Sequence, residues 1–133
     1  MGFLKRLFGR GNVPEFVLPG DNECALSESG LKHQLVSEGD GASPGPFETV
    51  TVHYAGWLTD GTLFDSSYAR GKPISFPLNR VIAGWGEGLA LMKTGGTSRF
   101  VIPPELGYGP RGAPPAIGPN ATLLFLVELI DIR

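Results

Sequence analysis

Apolar residues recur at every second position along most of the chain, and at helical spacing in one short stretch. Residues 31–36 (LKHQLV) read as a first strand. Over 48–57, Val50, Val52 and Tyr54 alternate with Thr49, Thr51 and His53, which predicts a strand with one face on a core and the other in water. Thr59-Asp60-Gly61-Thr62 predicts a hairpin, because Asp-Gly accommodates the positive φ of a tight turn. The return runs through Leu63 and Phe64 to Asp65-Ser66-Ser67, residue types that favour a break or bulge. After Pro73, Ile74 and Phe76 form a short alternating strand. Residues 97–102 and 121–132 complete the set, the latter with Leu123, Phe125, Val127 and Leu129 on one face.

The exception is residues 81–89 (VIAGWGEGL), where Val81, Ile82, Trp85 and Leu89 share one helical face. Lys93 and Gly95-Gly96 predict the helix end as a basic last turn and a glycine stop. Gly84, Gly86 and Gly88 each cost ~1 kcal/mol against Ala in a helix interior. A helix this short and glycine-rich must be held by tertiary packing, so the flanking strands are expected to wrap it. The expected class is α+β: an antiparallel sheet with one short helix on one face. Trp85 is then core filling or the floor of a pocket, and residue type alone favours core filling. Three stretches carry no periodicity. Residues 9–30 read as linker, 37–46 as a loop, and 103–120 as a long loop with six prolines. Loops longer than about 12–15 residues are usually functional or disordered.

The 133 residues suit one core, here expected over 29–133, with 1–28 as tail and linker. A net charge of −2 implies no general affinity for polyanions, and no aromatic-interleaved basic stripe suggests nucleic acid. The charge is uneven, however. Residues 1–10 hold Lys5, Arg6 and Arg10 and no acid, with Phe3, Leu4, Leu7 and Phe8 on one side of a helix. Such a segment could touch an anionic membrane weakly, although a tail or a docked helix is the commoner outcome. It lacks the h-region and cleavage site of a secretory signal, and Arg6 stands where myristoylation wants Ser or Thr. The one cysteine, Cys24, excludes an internal disulfide and fits a reducing, cytoplasmic setting. Monomer is the default state.

Common enzyme chemistries find little support. His33 and His53 with one cysteine do not make a metal site, and each sits between polar neighbours on a predicted strand, so both are expected to face solvent. Ser66, Asp65 and His53 could be drawn as a triad, but no nucleophile elbow accompanies them. Gly84-Trp85-Gly86-Glu87-Gly88 is not a phosphate-binding glycine pattern.

Three motifs in order, VHYAGWLTDGTLFDSS at 52–67, VIAGWGEGL at 81–89 and ELGYGPRGAPPAIGPNATLLFLVEL at 105–129, resemble the FKBP-type peptidyl-prolyl cis–trans isomerases. SGLKHQLVSEGDGASP at 29–44 is similar to that family's opening. The resemblance implies a curved antiparallel sheet wrapped on one short helix. It implies an enzyme that rotates X–Pro bonds during protein folding without any cofactor. Proline-containing polypeptides are the implied ligands, and immunosuppressive macrolides a further class. By the same resemblance Tyr54, Phe64, Asp65, Trp85, Tyr108 and Phe125 form the catalytic pocket. Ile74, Phe76, Val81, Ile82 and Ile117 contact substrate, and Arg70 with Tyr54 braces the Asp65 carboxylate. The Ile82 N–H and the Tyr108 hydroxyl are implied donors to peptide carbonyls. Ile74 stands where an aromatic is common, Ala113 and Ala116 replace bulkier loop residues, and the segment before Val81 is one residue shorter. These departures bear on drug affinity and sequence preference. A weakly catalytic proline-binding module is the alternative.

Overall fold

The computed structural model describes residues 13–133; the basic amphipathic segment at 1–10 lies outside them. Seven strands form one antiparallel sheet: β1 (Ala25–Leu26), β2 (Lys32–Ser37), β3 (Thr49–Leu58), β4 (Leu63–Ser66), β5 (Ile74–Pro77), β6 (Thr97–Ile102) and β7 (Leu123–Ile132). Their spatial order is β1-β2-β6-β7-β3-β4, with β5 also paired to β3. The curved sheet wraps one main helix, α2 (Ala83–Ala90), while a four-residue helix, α1 (Ser67–Arg70), follows β4.

β3 organises the sheet. It pairs with β7 along one side, from Val50↔Ile132 to Leu58↔Leu123. Its other side is shared: β5 covers Thr49 to Val52, and β4 covers Ala55 to Trp57. The hairpin lies where Asp-Gly predicts it, and Gly61 carries the positive φ of 93°. Asp60 helps by accepting the Thr62 N–H at 2.9 Å, an Asx turn.

α2 begins two residues later than apolar spacing predicts. Val81 and Ile82 remain extended, and Ile82 occupies the N-cap. The other end differs too. The helix leaves through Leu91, and Lys93 lies beyond its last turn, so the expected basic last turn is not formed. Packing explains two of the glycines. A Cβ on Gly84 would lie 2.7 Å from Ile102, and one on Gly88 would lie 2.7 Å from Phe100. The helix therefore approaches β6 more closely than any side chain permits.

The main core joins Trp85 and Leu89 to the inward faces of the strands: Val50, Val52, Phe100, Leu123, Val127 and Leu129, among others. Each such side chain contributes about 1.5–3 kcal/mol on burial. The outer face of β3 is not simply wet, contrary to the alternation. Ala55 and Trp57 belong to a second buried cluster with Tyr68, Leu124 and Leu126. Phe16 covers Trp57 edge-on at 6.0 Å. Its segment, which composition reads as linker, continues into a 3₁₀ turn at Asp21–Glu23 and into β1. The proline-rich loop is likewise ordered, with 3₁₀ turns at Pro104–Leu106 and Gly109–Arg111 and a bridge between Ala113 and Ile117.

Candidate active site

One cavity of about 510 Å³ opens beside α2. Its walls come from several parts of the chain, each positioned by the elements above. Tyr54 points in from β3, Phe64 and Asp65 from β4, Ile74 and Phe76 from β5, and Phe125 from β7. Val81, Ile82 and Trp85 come from the entry and first turn of α2, and Tyr108 from the proline-rich loop.

Trp85 forms the base. Tyr54, Phe76 and Phe125 stand nearly perpendicular to its ring, at centroid distances of 5.2, 5.5 and 5.4 Å. Edge-to-face pairs of this kind contribute about 0.5–1.5 kcal/mol each beyond area burial. The Trp85 indole N–H has no hydrogen-bond partner among the described residues. Trp85 is therefore both core residue and pocket floor, which residue type alone did not favour.

The polar side of the cavity is a closed triangle. The Tyr54 hydroxyl donates to one oxygen of Asp65, and Arg70 donates to the other at 2.6 Å. Arg70 also donates to the Tyr54 hydroxyl at 3.1 Å. Burial pushes the Tyr54 phenol up to about 12, and the Asp65 hydrogen bond adds to the effect. Burial alone would raise the Asp65 carboxyl. The hydrogen bonds from Tyr54 and Arg70, with the Arg70 charge, outweigh it and hold the carboxyl below its usual value. Arg70 reaches this place because α1 is capped at both ends. Ser66 accepts the Ala69 N–H at 3.2 Å, and Gly71 closes the helix in the left-handed region.

Two donors stand free at the rim. The Ile82 carbonyl accepts from Trp85 and Gly86, but its own N–H makes no bond within the described chain. The Tyr108 hydroxyl also has no partner there, and Tyr108 is 41% exposed.

Eleven of the twelve residues named from the sequence line this cavity. Ile117 does not. It is buried in the main core, with its N–H and carbonyl paired to Ala113 at 3.0 and 2.8 Å. Sequence reading missed two residues. Arg80 lines the cavity. Fully buried Ser67 accepts the Tyr54 N–H at 2.7 Å, sits 2.8 Å from His53 Nδ1, and so anchors the backbone of the pocket tyrosine. His53 is consequently only partly exposed, not the freely solvated ring its polar neighbours suggest. Its ring stacks on Tyr68 at 4.6 Å, and burial lowers its basicity. No cluster of metal-ligating side chains occurs among the described residues. No helix among them is long and apolar enough to cross a membrane.

Comparison with known proteins agrees with this architecture. The family model for FKBP-type peptidyl-prolyl cis-trans isomerase matches residues 41–130. A probable isomerase of that type from Haemophilus influenzae is 51% identical over 111 residues, which is 84% of this chain and 46% of the relative. The FKBP-type 22 kDa isomerase of Escherichia coli is 52% identical, over 80% of this chain and 52% of the relative. The crystal structure of FkpA from Escherichia coli superposes with a TM-score of 0.82 at 50% identity, covering 85% of this chain and 53% of that one. The chain spans about half the length of the curated relatives it matches. By sequence and fold, it belongs to the FKBP-type peptidyl-prolyl cis-trans isomerase family.

Proposed function

We propose that this domain accelerates cis–trans rotation of X–Pro peptide bonds in polypeptides, with the proline seated on Trp85. The observation that carries the reading is an aromatic pocket with two unspent donors at its rim, the Ile82 N–H and the Tyr108 hydroxyl. Rotation of a peptide bond breaks amide resonance over a barrier of about 18–20 kcal/mol. No bond is made, so the site has no need of a nucleophile. The twisted amide has less charge separation than the planar one, so a dry aromatic wall disfavours the planar ground state more than the transition state. The two rim donors hold flanking carbonyls while the proline end turns. Asp65, tied by Tyr54 and Arg70, keeps the polar wall rigid. A cavity of this volume also suits drug-sized ligands, so macrolides are a second ligand class for the same site.

The test is exchange NMR on a short X–Pro peptide with catalytic amounts of protein. Wild type speeds exchange, and Trp85→Leu and Tyr54→Phe/Asp65→Ala each lose about tenfold or more, some 1.4 kcal/mol of barrier. Peptide binding with an unchanged exchange rate would instead identify a proline-binding module. The compartment is a separate matter. One relative, from Legionella longbeachae, is named an outer membrane protein; the free Cys24 of this chain fits a reducing, cytoplasmic setting.

A further inference from the structure

We infer that Arg80 biases this pocket toward prolines that carry an acidic side chain beside them. The inference rests on the isomerase reading of the cavity and names a substrate preference within it. Three charged side chains line the cavity: Asp65, Arg70 and Arg80. The first two consume each other. Both Asp65 oxygens are taken, one by Arg70 and one by the Tyr54 hydroxyl. Arg80 is left over. It is exposed and makes no ion pair or side-chain hydrogen bond among the described residues, where the ion pairs are Lys32–Asp21, Arg70–Asp65 and Lys93–Glu38. The cavity therefore presents one uncompensated positive charge on a wall whose other charges cancel.

Its position is set by the fold. Arg80 ends the 3₁₀ turn Leu78–Arg80, directly before Val81 and Ile82. That turn is pinned by buried Leu78, whose N–H donates to the Glu48 carbonyl at 3.0 Å. The Glu48 carboxylate is engaged elsewhere, accepting the Gly45 N–H at 2.7 Å. A polypeptide held by the Ile82 N–H thus runs past a guanidinium two residues away in sequence. A guanidinium presents a planar fork of donors that fits a carboxylate with two parallel hydrogen bonds. An acidic side chain next to the proline meets it favourably, and a lysine there is repelled. Because the pair would form at an exposed rim, the preference is modest, about two- to five-fold in kcat/KM, and salt screens it.

The experiment compares peptides that differ only in Glu, Gln or Lys on either side of the proline. Each is assayed with wild type, Arg80→Gln and Arg80→Glu, at low and high salt. In wild type the Glu peptide outruns the Gln peptide, through KM rather than kcat, and the advantage shrinks in salt. In Arg80→Gln the ratio falls toward one, and in Arg80→Glu the Lys peptide gains. The same Glu-to-Gln ratio in all three proteins overturns the inference and leaves the isomerase reading intact. If wild type accelerates none of the peptides, the isomerase reading fails, and the same ratio taken from peptide Kd values decides the role of Arg80 on its own.

Discussion

At the scale of single residues, the pocket's polar wall is built so that it does not titrate near neutrality. Asp65 is held below its usual range and Tyr54 is pushed up to about 12. The proposed isomerase activity should therefore stay level between about pH 5 and 9, as a pH series of kcat/KM would show. A downturn near pH 6 would mean that some other group controls the rate. The stability contribution of Asp65 follows the same sign. It is present above the unfolded carboxylate pKa of about 3.9 and is lost as pH falls through the depressed folded value. His53 behaves differently. Burial disfavours its protonated form in the fold, while in the unfolded chain the imidazole takes a proton near pH 6.5. The unfolded state then binds more protons, so stability falls as pH drops below about 6.5. Urea midpoints at pH 7 and pH 5 should differ less in His53→Gln than in wild type.

At the scale of elements, the glycines of α2 sort by what faces them. Gly86 has only the Leu78 carbonyl at 3.6 Å, ordinary contact, whereas Gly84 and Gly88 meet the buried side chains of Ile102 and Phe100. Gly86→Ala should raise stability by about 0.5–1 kcal/mol in urea titration. Gly84→Ala and Gly88→Ala should each lower it by about 1–3 kcal/mol, because neither β6 side chain has room to move. The sequence announces three glycines in a helix but not which of them are needed, since that depends on β6 lying opposite. Elsewhere legibility follows the length of the pattern. β3 and β7 show through because alternation persists across them. The start of α2 does not, because Val81 and Ile82 continue the apolar spacing while remaining extended to line the cavity. α1 is a single turn, too short for periodicity, and β1 has two residues. The pocket was legible chiefly through resemblance. Ile117 and Arg80 mark its limit: one is apolar but turned into the core, the other charged but turned to the rim.

At the scale of the whole molecule, two of the strand pairings, β2 with β6 and β3 with β7, join segments about 60 residues apart, and β7, the last element in chain order, fills the centre between β6 and β3. The two cores meet on that strand: Leu123, Phe125 and Val127 face one cluster, and Leu124 and Leu126 the other. A chain stopped at Asn120 should therefore show no cooperative unfolding transition and little dispersion in an amide NMR spectrum. A cooperative transition from that fragment would mean that β6 and β3 close on each other without β7. The topology also has a bearing on birth at the ribosome. β7 begins roughly 65 residues after β3 ends, which at typical elongation rates is about 3–13 s of synthesis. For that interval the edge of β3 that β7 will cover stands open, and once β6 is made its edge away from β2 stands open as well. A domain proposed to ease the folding of other chains is, while it is being made, itself a client in waiting.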